Sequence, residues 1–145
     1  MPSKRGLNMG RFSVEFEVAN YQDMILAEHG ALPADKVRRT RIQGVVDTAA
    51  TNLVLPGKIT EQLGLPKGDK LNVRYANGRR AVRDTANDAY IEILSRSGTF
   101  KAIVEQQRQD ALIGTIVLEA FDLLPDCSRQ RLLPRDPKFI LAEIE

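Results

Sequence analysis

The segment around Asp47 carries residue types that could do chemistry. An apolar run ends at Asp47, Thr48 and three small residues follow, and a second apolar run closes at Pro56. A carboxylate at the end of a buried strand is unfavourable unless it is paired, hydrogen-bonded or in use. In use, it could accept or donate a proton. An ordinary Asx-type turn gives the same pattern, so this segment alone leaves both interpretations open.

The single cysteine and the single histidine do not indicate thiol catalysis or a zinc site. Cys127 is the only cysteine, and His29, the only histidine, lies far from it in a polar stretch. Nothing marks His29 as a base for the thiol, and one His with one Cys is too few for a zinc site of the usual ligands. We therefore expect neither a metal nor another cofactor. A single cysteine cannot form an internal disulfide, which favours a reducing compartment and predicts a cytoplasmic location.

Length and composition are typical of one soluble globular domain. The chain has 145 residues, of which 43% are hydrophobic and 28% charged, and its net charge of +2 does not indicate nucleic acid as a partner. Arginines cluster over residues 38–41 and 79–83, but interspersed acidic residues favour solvated strand faces over a phosphate-binding surface. No apolar run is long enough to span a membrane, so no membrane partner is expected. We predict a flexible N-terminal extension over residues 1–9 and a single domain over residues 10–145.

Short strands must position the Asp47 segment. Alternating apolar and polar residues predict a half-buried strand over residues 10–19. A strand over residues 36–46 runs into Asp47, and an irregular excursion over residues 20–35 separates the two. Further strands are predicted over residues 70–75, 79–83, 89–94, 99–104, 111–114, 123–126 and 131–134, with short helices over residues 58–63 and 116–121. Many short strands without a long crossover helix predict a mostly-β domain with a partly closed barrel.

Two turns join neighbouring strands in this scheme. Asn77-Gly78 stands between two strand-like runs and predicts a hairpin with a type I′ turn, in which both central residues have positive φ. A tight turn over residues 95–98 joins the next two strands.

A second segment, Ala111-Leu112-Ile113-Gly114, follows after the hairpin and leads into the helix over residues 116–121. Together with the Asp47 segment, it resembles the signature of the retropepsin-like (retroviral-type) aspartic proteases. The resemblance is closest to small bacterial members, in which Tyr-Ala-Asn-Gly-Arg-Arg (residues 75–80) marks the flap and Leu-Ile-Gly-Thr-Ile-Val-Leu-Glu (residues 112–119) the second signature. It spans about residues 10–137 in the family's order.

This resemblance implies both a fold and an activity. The fold would be a retropepsin-like acid-protease barrel with one or two short helices, one lobe per chain. The activity would be that of an aspartic endopeptidase, in which two copies of Asp47 meet at a homodimer axis and activate a water that attacks a peptide bond. Peptides or proteins would be the substrates, and neither a metal nor a covalent intermediate would be required.

The resemblance also implies roles for individual residues. Thr48 would hydrogen-bond across the dimer axis, and Thr51 takes the place of the Ser or Thr that supports the aspartate. Leu112, Ile113 and Gly114 would pack behind the catalytic turn, to which Ala49 and Ala50 belong. The flap that closes over the substrate would comprise Tyr75, Ala76, Asn77, Gly78 and Arg79.

Ala49 stands where the family has glycine, and this departure defines the main alternative. A positive φ at this position would cost an alanine about 1 kcal/mol or more, and its Cβ adds bulk near the scissile bond. The alternative is therefore a catalytically impaired protease fold that binds peptide or dimerises. A third interpretation is a DNA-binding module of the AbrB type, which residues 55–59, 63–71 and 77–79 resemble. It leaves the Asp47-Thr48 turn and the Leu112-Ile113-Gly114 segment without a role.

Overall fold

The computed structural model of the chain describes residues 11–145, so the extension predicted over residues 1–9 lies outside the described residues. The described strands are Arg11–Asn20 (β1), Arg39–Asp47 (β2), Leu53–Pro56 (β3), Leu71–Arg74 (β4), Arg80–Arg83 (β5), Thr85–Ile93 (β6), Arg96–Glu105 (β7), Ala111–Ile113 (β8), Leu123–Asp126 (β9) and Arg131–Pro134 (β10). The described helices are Tyr21–Glu28 (α1), Gly57–Gln62 (α2) and Thr115–Phe121 (α3), with a 3₁₀ turn over Ala34–Lys36. No helix within residues 11–145 combines the length and apolar character needed to cross a membrane.

Six strands close into a barrel in the order β1-β2-β8-β3-β7-β6. Strand β8 lies between β2 and β3, parallel to β2 and antiparallel to β3, while β3 runs parallel to β7. The mostly-β barrel expected from the sequence is confirmed. The hairpins β4-β5 and β9-β10 form separate two-stranded sheets outside the barrel.

The barrel is filled by apolar side chains from its strands and from α3. Phe16, Leu55, Ile91 and Ile113 are almost completely buried, and Val117 of α3 joins them. Strand β3 pairs with β8 along one edge and with β7 along the other. Its side chains are buried along its whole length, so it reads as a continuous apolar run rather than an alternating one.

The irregular excursion predicted over residues 20–35 is wrong over Tyr21–Glu28, which forms α1. Asn20 caps this helix by accepting a hydrogen bond from the Asp23 N–H at 3.0 Å. The Asn20 side-chain amide also donates to the carbonyl of Leu63 at 2.8 Å. The Asp23 carboxylate then receives three hydrogen bonds from Arg38. The mixed polarity of this segment hid a helix that is fixed by its cap and by tertiary contacts.

Both predicted turns differ in detail from the structure. In the β4-β5 hairpin, hydrogen bonds from Tyr75 N–H to the Arg79 carbonyl and from Gly78 N–H to the Tyr75 carbonyl close a three-residue loop. Within that loop Gly78 has positive φ and Asn77 does not, so the type I′ prediction is wrong. The tight turn between β6 and β7 consists of Leu94 and Ser95, both with positive φ, rather than residues 95–98.

Candidate active site

Asp47 is the last residue of β2 and starts a short loop that leads into β3. Its Oδ1 atom accepts a hydrogen bond from the Ala49 N–H at 3.0 Å, and its carbonyl accepts one from the Ala50 N–H at 3.1 Å. This is an Asx turn. The turn and a chemical role are compatible, because the second carboxylate oxygen is not used by the turn.

The second signature segment holds this loop from behind. Strand β8 pairs Leu112 with Val45 and Ile113 with Val46, directly before Asp47. At the start of α3, the Thr115 N–H donates to the Ala50 carbonyl at 3.0 Å and the Ile116 N–H to the Thr51 carbonyl at 2.9 Å. The first N–H groups of a helix have no partner within it, so the loop carbonyls satisfy them and are fixed in return.

Gly114 makes this close approach possible. A Cβ at this position would lie 2.6 Å from the Asn52 carbonyl oxygen and 2.6 Å from the Thr51 carbonyl carbon. Real Cβ atoms do not come that close to backbone, so any other residue would push the loop and α3 apart. Leu112, Ile113 and Gly114 thus lie directly behind the loop, and their role in catalysis stays a prediction.

Arg11 is a neighbour of Asp47 that the sequence reasoning missed. It faces Asp47 across the β1-β2 pairing, and its Nε lies 3.4 Å from Asp47 Oδ2. The Arg11 side chain is 49% exposed and that of Asp47 18%, so the pair sits at the barrel surface. The sequence predicts the strand to which Arg11 belongs, but it does not give the register in which that strand pairs with β2.

The remaining loop residues are open to solvent in the single chain. Thr48, Ala49 and Thr51 are exposed. Ala49 is not among the described residues with positive φ, so its alanine carries no left-handed strain. The Thr51 carbonyl accepts the hydrogen bond from Ile116 N–H. Support of Asp47 by the Thr51 side chain stays a prediction.

The flap hairpin is tied to the barrel through Tyr75. The Tyr75 hydroxyl donates a hydrogen bond to Glu105 at the end of β7. Arg83 Nε donates both to the Tyr75 hydroxyl and to Glu105, each at 2.9 Å. The hydrogen bond to the Tyr75 hydroxyl, together with Glu105, raises the pKa of the Arg83 guanidinium. Ala76, Asn77, Gly78 and Arg79 form the exposed tip, with Arg79 lying 5.0 Å above the Tyr75 ring.

A cleft of about 360 Å³ lies between the Asp47 loop and the flap. Neither Asp47 nor Thr48 lines it, but loop residues 49–52 do. Glu105 and Arg108, which sequence reasoning did not single out, form part of its wall. The lining comprises Ala49, Ala50, Thr51, Asn52, Val54, Leu71, Asn72, Val73, Arg74, Tyr75, Ile103, Glu105, Arg108 and Leu112. The loop, the flap and the second signature segment therefore enclose one space.

The side chains within residues 11–145 form no group of three His, Cys, Asp or Glu that could hold a metal ion. What the loop offers is one carboxylate with an exposed surface around it. A carboxylate can move a proton but, alone, cannot be both the base for a water and the acid for a carbonyl.

No protein-family model and no curated protein matches the chain. Among solved structures, a retropepsin-like aspartic protease from Rickettsia conorii is 15% identical, with 80% of this chain and 86% of that chain covered and a TM-score of 0.46. The simian foamy virus (mac) protease is 12% identical, with coverages of 73% and 90% and a TM-score of 0.47. The EIAV protease, in an inhibitor complex, is 18% identical, with coverages of 55% and 76% and a TM-score of 0.45. The chain is structurally similar to retropepsin-like aspartic proteases.

At these identities the similarity concerns the fold. Proposals on catalysis, dimerisation and individual residues therefore rest on the contacts and exposure of this chain's own side chains.

Proposed function

We propose that the chain is one subunit of a homodimeric aspartic endopeptidase, with Asp47 as its catalytic carboxylate. The observation that carries this proposal is the enclosure of one cleft by the Asp47 loop, the flap and β8. The loop is held rigidly by the start of α3, which is what a catalytic group needs.

Each chain would supply half of the reacting pair. Two carboxylates at contact distance share one proton, as known from aspartic proteases. The ionised Asp47 would take a proton from water as the water attacks the peptide carbonyl. The protonated Asp47 of the second copy would donate its proton to the carbonyl oxygen, which gives a tetrahedral gem-diol. The first Asp47 would then pass the proton taken from water to the departing nitrogen, while the second takes a proton back from a gem-diol hydroxyl as the carbonyl re-forms. Because the signature occurs once in the sequence, a single chain cannot build this pair.

Exposure of the loop in the single chain fits this arrangement. Thr48 and Ala49 are exposed among residues 11–145, so a second copy can approach them along a twofold axis, the commonest oligomer symmetry. Tyr75 would position the flap over the substrate and exclude water. The single domain over residues 10–145 and the cytoplasmic location stay predictions.

The test is cleavage of a mixed peptide library by the unmodified chain and by Asp47→Asn, at concentrations that favour dimers. We expect products from the unmodified chain and none from Asp47→Asn. Equal mixing of the two chains, with exchange of subunits, should leave about one quarter of the dimers with two aspartates. Activity that falls only to one half would show that each chain acts alone, which contradicts the shared site.

The impaired-protease alternative has its own outcome in the same experiment. Binding of peptides without turnover in the unmodified chain, and turnover in Ala49→Gly, would establish it. Because Ala49 carries no left-handed strain, we expect instead that Ala49→Gly changes turnover by less than about fivefold. The DNA-binding alternative loses support, because the structure divides its segment among β3, α2 and the flap hairpin.

A further inference from the structure

Arginines on the outer face of the barrel are neutralised by carboxylates. Arg38 pairs with Asp23, Arg39 with Glu17 and Arg41 with Glu15. This cluster is therefore the solvated strand face that the sequence predicted.

The flap arginines are arranged differently. Arg74 and Arg80 face each other directly across the β4-β5 hairpin. Among residues 11–145, no carboxylate lies within 4.0 Å of either guanidinium, and none lies that close to Arg79. Like charges in directly opposed positions destabilise a hairpin. An anion bound between the flap and the barrel would relieve that repulsion.

In the described part of the chain, the cleft wall also carries arginines that no neighbouring carboxylate neutralises. Arg74 and Arg108 both line the cleft, and the Arg108 Nε is held by the Asp110 carbonyl at 2.9 Å. Glu105 is the one carboxylate among the described lining residues. It is already engaged by Arg83 and by the Tyr75 hydroxyl. The cleft thus presents two positive charges that no lining carboxylate offsets.

From this imbalance we infer that the cleft prefers acidic peptides, with Asp or Glu side chains near the scissile bond held by Arg74 and Arg108. The inference rests on the proposed function and names its substrate class. Exposed ion pairs are weak in water, but closure of the flap removes solvent and strengthens them. Each arginine is expected to contribute about 2- to 5-fold to selection of an acidic peptide.

The experiment uses three peptides that share one cleavable sequence and carry Glu, Gln or Lys beside the scissile bond. Values of kcat/KM are measured at about pH 6, where a Glu side chain is ionised, and at low and high salt. We expect kcat/KM to be highest for the Glu peptide, lower for Gln and lowest for Lys, and the ratio of the Glu to the Lys value to fall at high salt. That ratio should also fall in Arg74→Gln and in Arg108→Gln. It should be unchanged in Arg41→Gln, which removes a paired arginine on the outer face.

Equal kcat/KM for the three peptides, or a preference for Lys, would overturn the inference while leaving the protease proposal intact. If the unmodified chain cuts no member of the mixed peptide library, so that no cleavable sequence is found, the protease proposal fails. The inference is then judged by fluorescence anisotropy of the same labelled peptides on Asp47→Asn. Tighter binding of the Glu peptide, lost in Arg74→Gln/Asp47→Asn, supports the charge preference. Equal binding of the three peptides, or binding confined to duplex DNA, contradicts it.

Discussion

Gly114 meets the backbone of Thr51 so closely that a Cβ on the glycine would lie 2.6 Å from the Thr51 carbonyl carbon. Gly114→Ala must therefore displace the Asp47 loop or the start of α3. We expect overpacking to lower the free energy of unfolding by about 1–3 kcal/mol. Peptide turnover should fall by about 10- to 100-fold, because a small misplacement of a catalytic group is costly. Denaturant unfolding and steady-state kinetics measure the two effects.

Gly98→Ala is the matched control for that substitution. Its Cβ would meet the Phe121 ring at 3.4 Å, an ordinary contact with a side chain. Turnover should be nearly unchanged. Equal effects of the two substitutions would show that Gly114 has no special relation to the loop.

Asp47→Asn should leave the fold intact. Asparagine keeps an Oδ1 that accepts from the Ala49 N–H, and the lost ion pair with Arg11 lies at the surface. We expect a change of at most about 1 kcal/mol in the free energy of unfolding, together with a loss of turnover of roughly 10³-fold or more. Circular dichroism and kinetics on one preparation test this. A loss of activity that accompanies unfolding would not support a catalytic role.

Tyr75→Phe should loosen the flap without removing its aromatic ring. The substitution deletes the hydroxyl that joins Glu105 and Arg83 and keeps the surface beneath Arg79. We expect faster amide exchange over residues 71–83 and a several-fold higher KM, with a smaller change in kcat. Tyr90→Phe is the control, since Tyr90 stacks on Tyr21 away from the cleft. Unchanged exchange over the flap would show that Tyr75 does not restrain it.

Asp23 makes stability depend on pH. Hydrogen bonds from Arg38 hold the pKa of the Asp23 carboxyl below its ordinary value of 3.8. The unfolded chain then binds the proton more readily, so this contribution is present above about pH 4 and is lost as the pH falls through the folded-state pKa. Asp23→Asn should lower the free energy of unfolding by about 1–2 kcal/mol at pH 7. In urea titrations the difference from the unmodified chain should shrink as the pH falls below about 4; a constant difference would contradict the linkage.

Arg96 should be replaceable with a gain in stability. It is 6% exposed, and none of its three guanidinium nitrogens has a hydrogen-bond partner in the part of the chain described. The Arg96 Cζ atom lies 5.4 Å from the centroid of the Phe139 ring. Removing a buried, unsatisfied charge with Arg96→Met should raise the free energy of unfolding by about 1–3 kcal/mol. A marked loss, with Arg41→Met neutral, would show that Arg96 has a partner in solution.

The sequence predicted the elements that depend on local patterns. Alternation gave β1, and apolar runs gave β2 and β8. The place of Gly114 behind the loop was implied by the family resemblance and not by a local pattern. What it missed depends on partners distant in the chain. The α1 helix depends on Asn20 and Arg38, and its own composition shows little periodicity.

The same limit applies to the candidate site. Motifs singled out Asp47, Tyr75 and Gly114. Arg11 is beside Asp47 only because β1 and β2 pair in one register. Glu105 meets Tyr75 only because the flap folds back on β7. Neither relation has a signature in the spacing of residues.

The position of β8 between β2 and β3 also sets when the site can form during synthesis. The loop that begins at Asp47 gains its scaffold only when residues 111–116 are available to pair with it. Contacts between such distant parts of a chain form late in folding. A growing polypeptide that ends before β8 has the carboxylate but lacks the support that aims it. The hydrolytic potential proposed for this chain would thus be withheld until β8 has been synthesised, which spares both the nascent chain and its neighbours on the polysome.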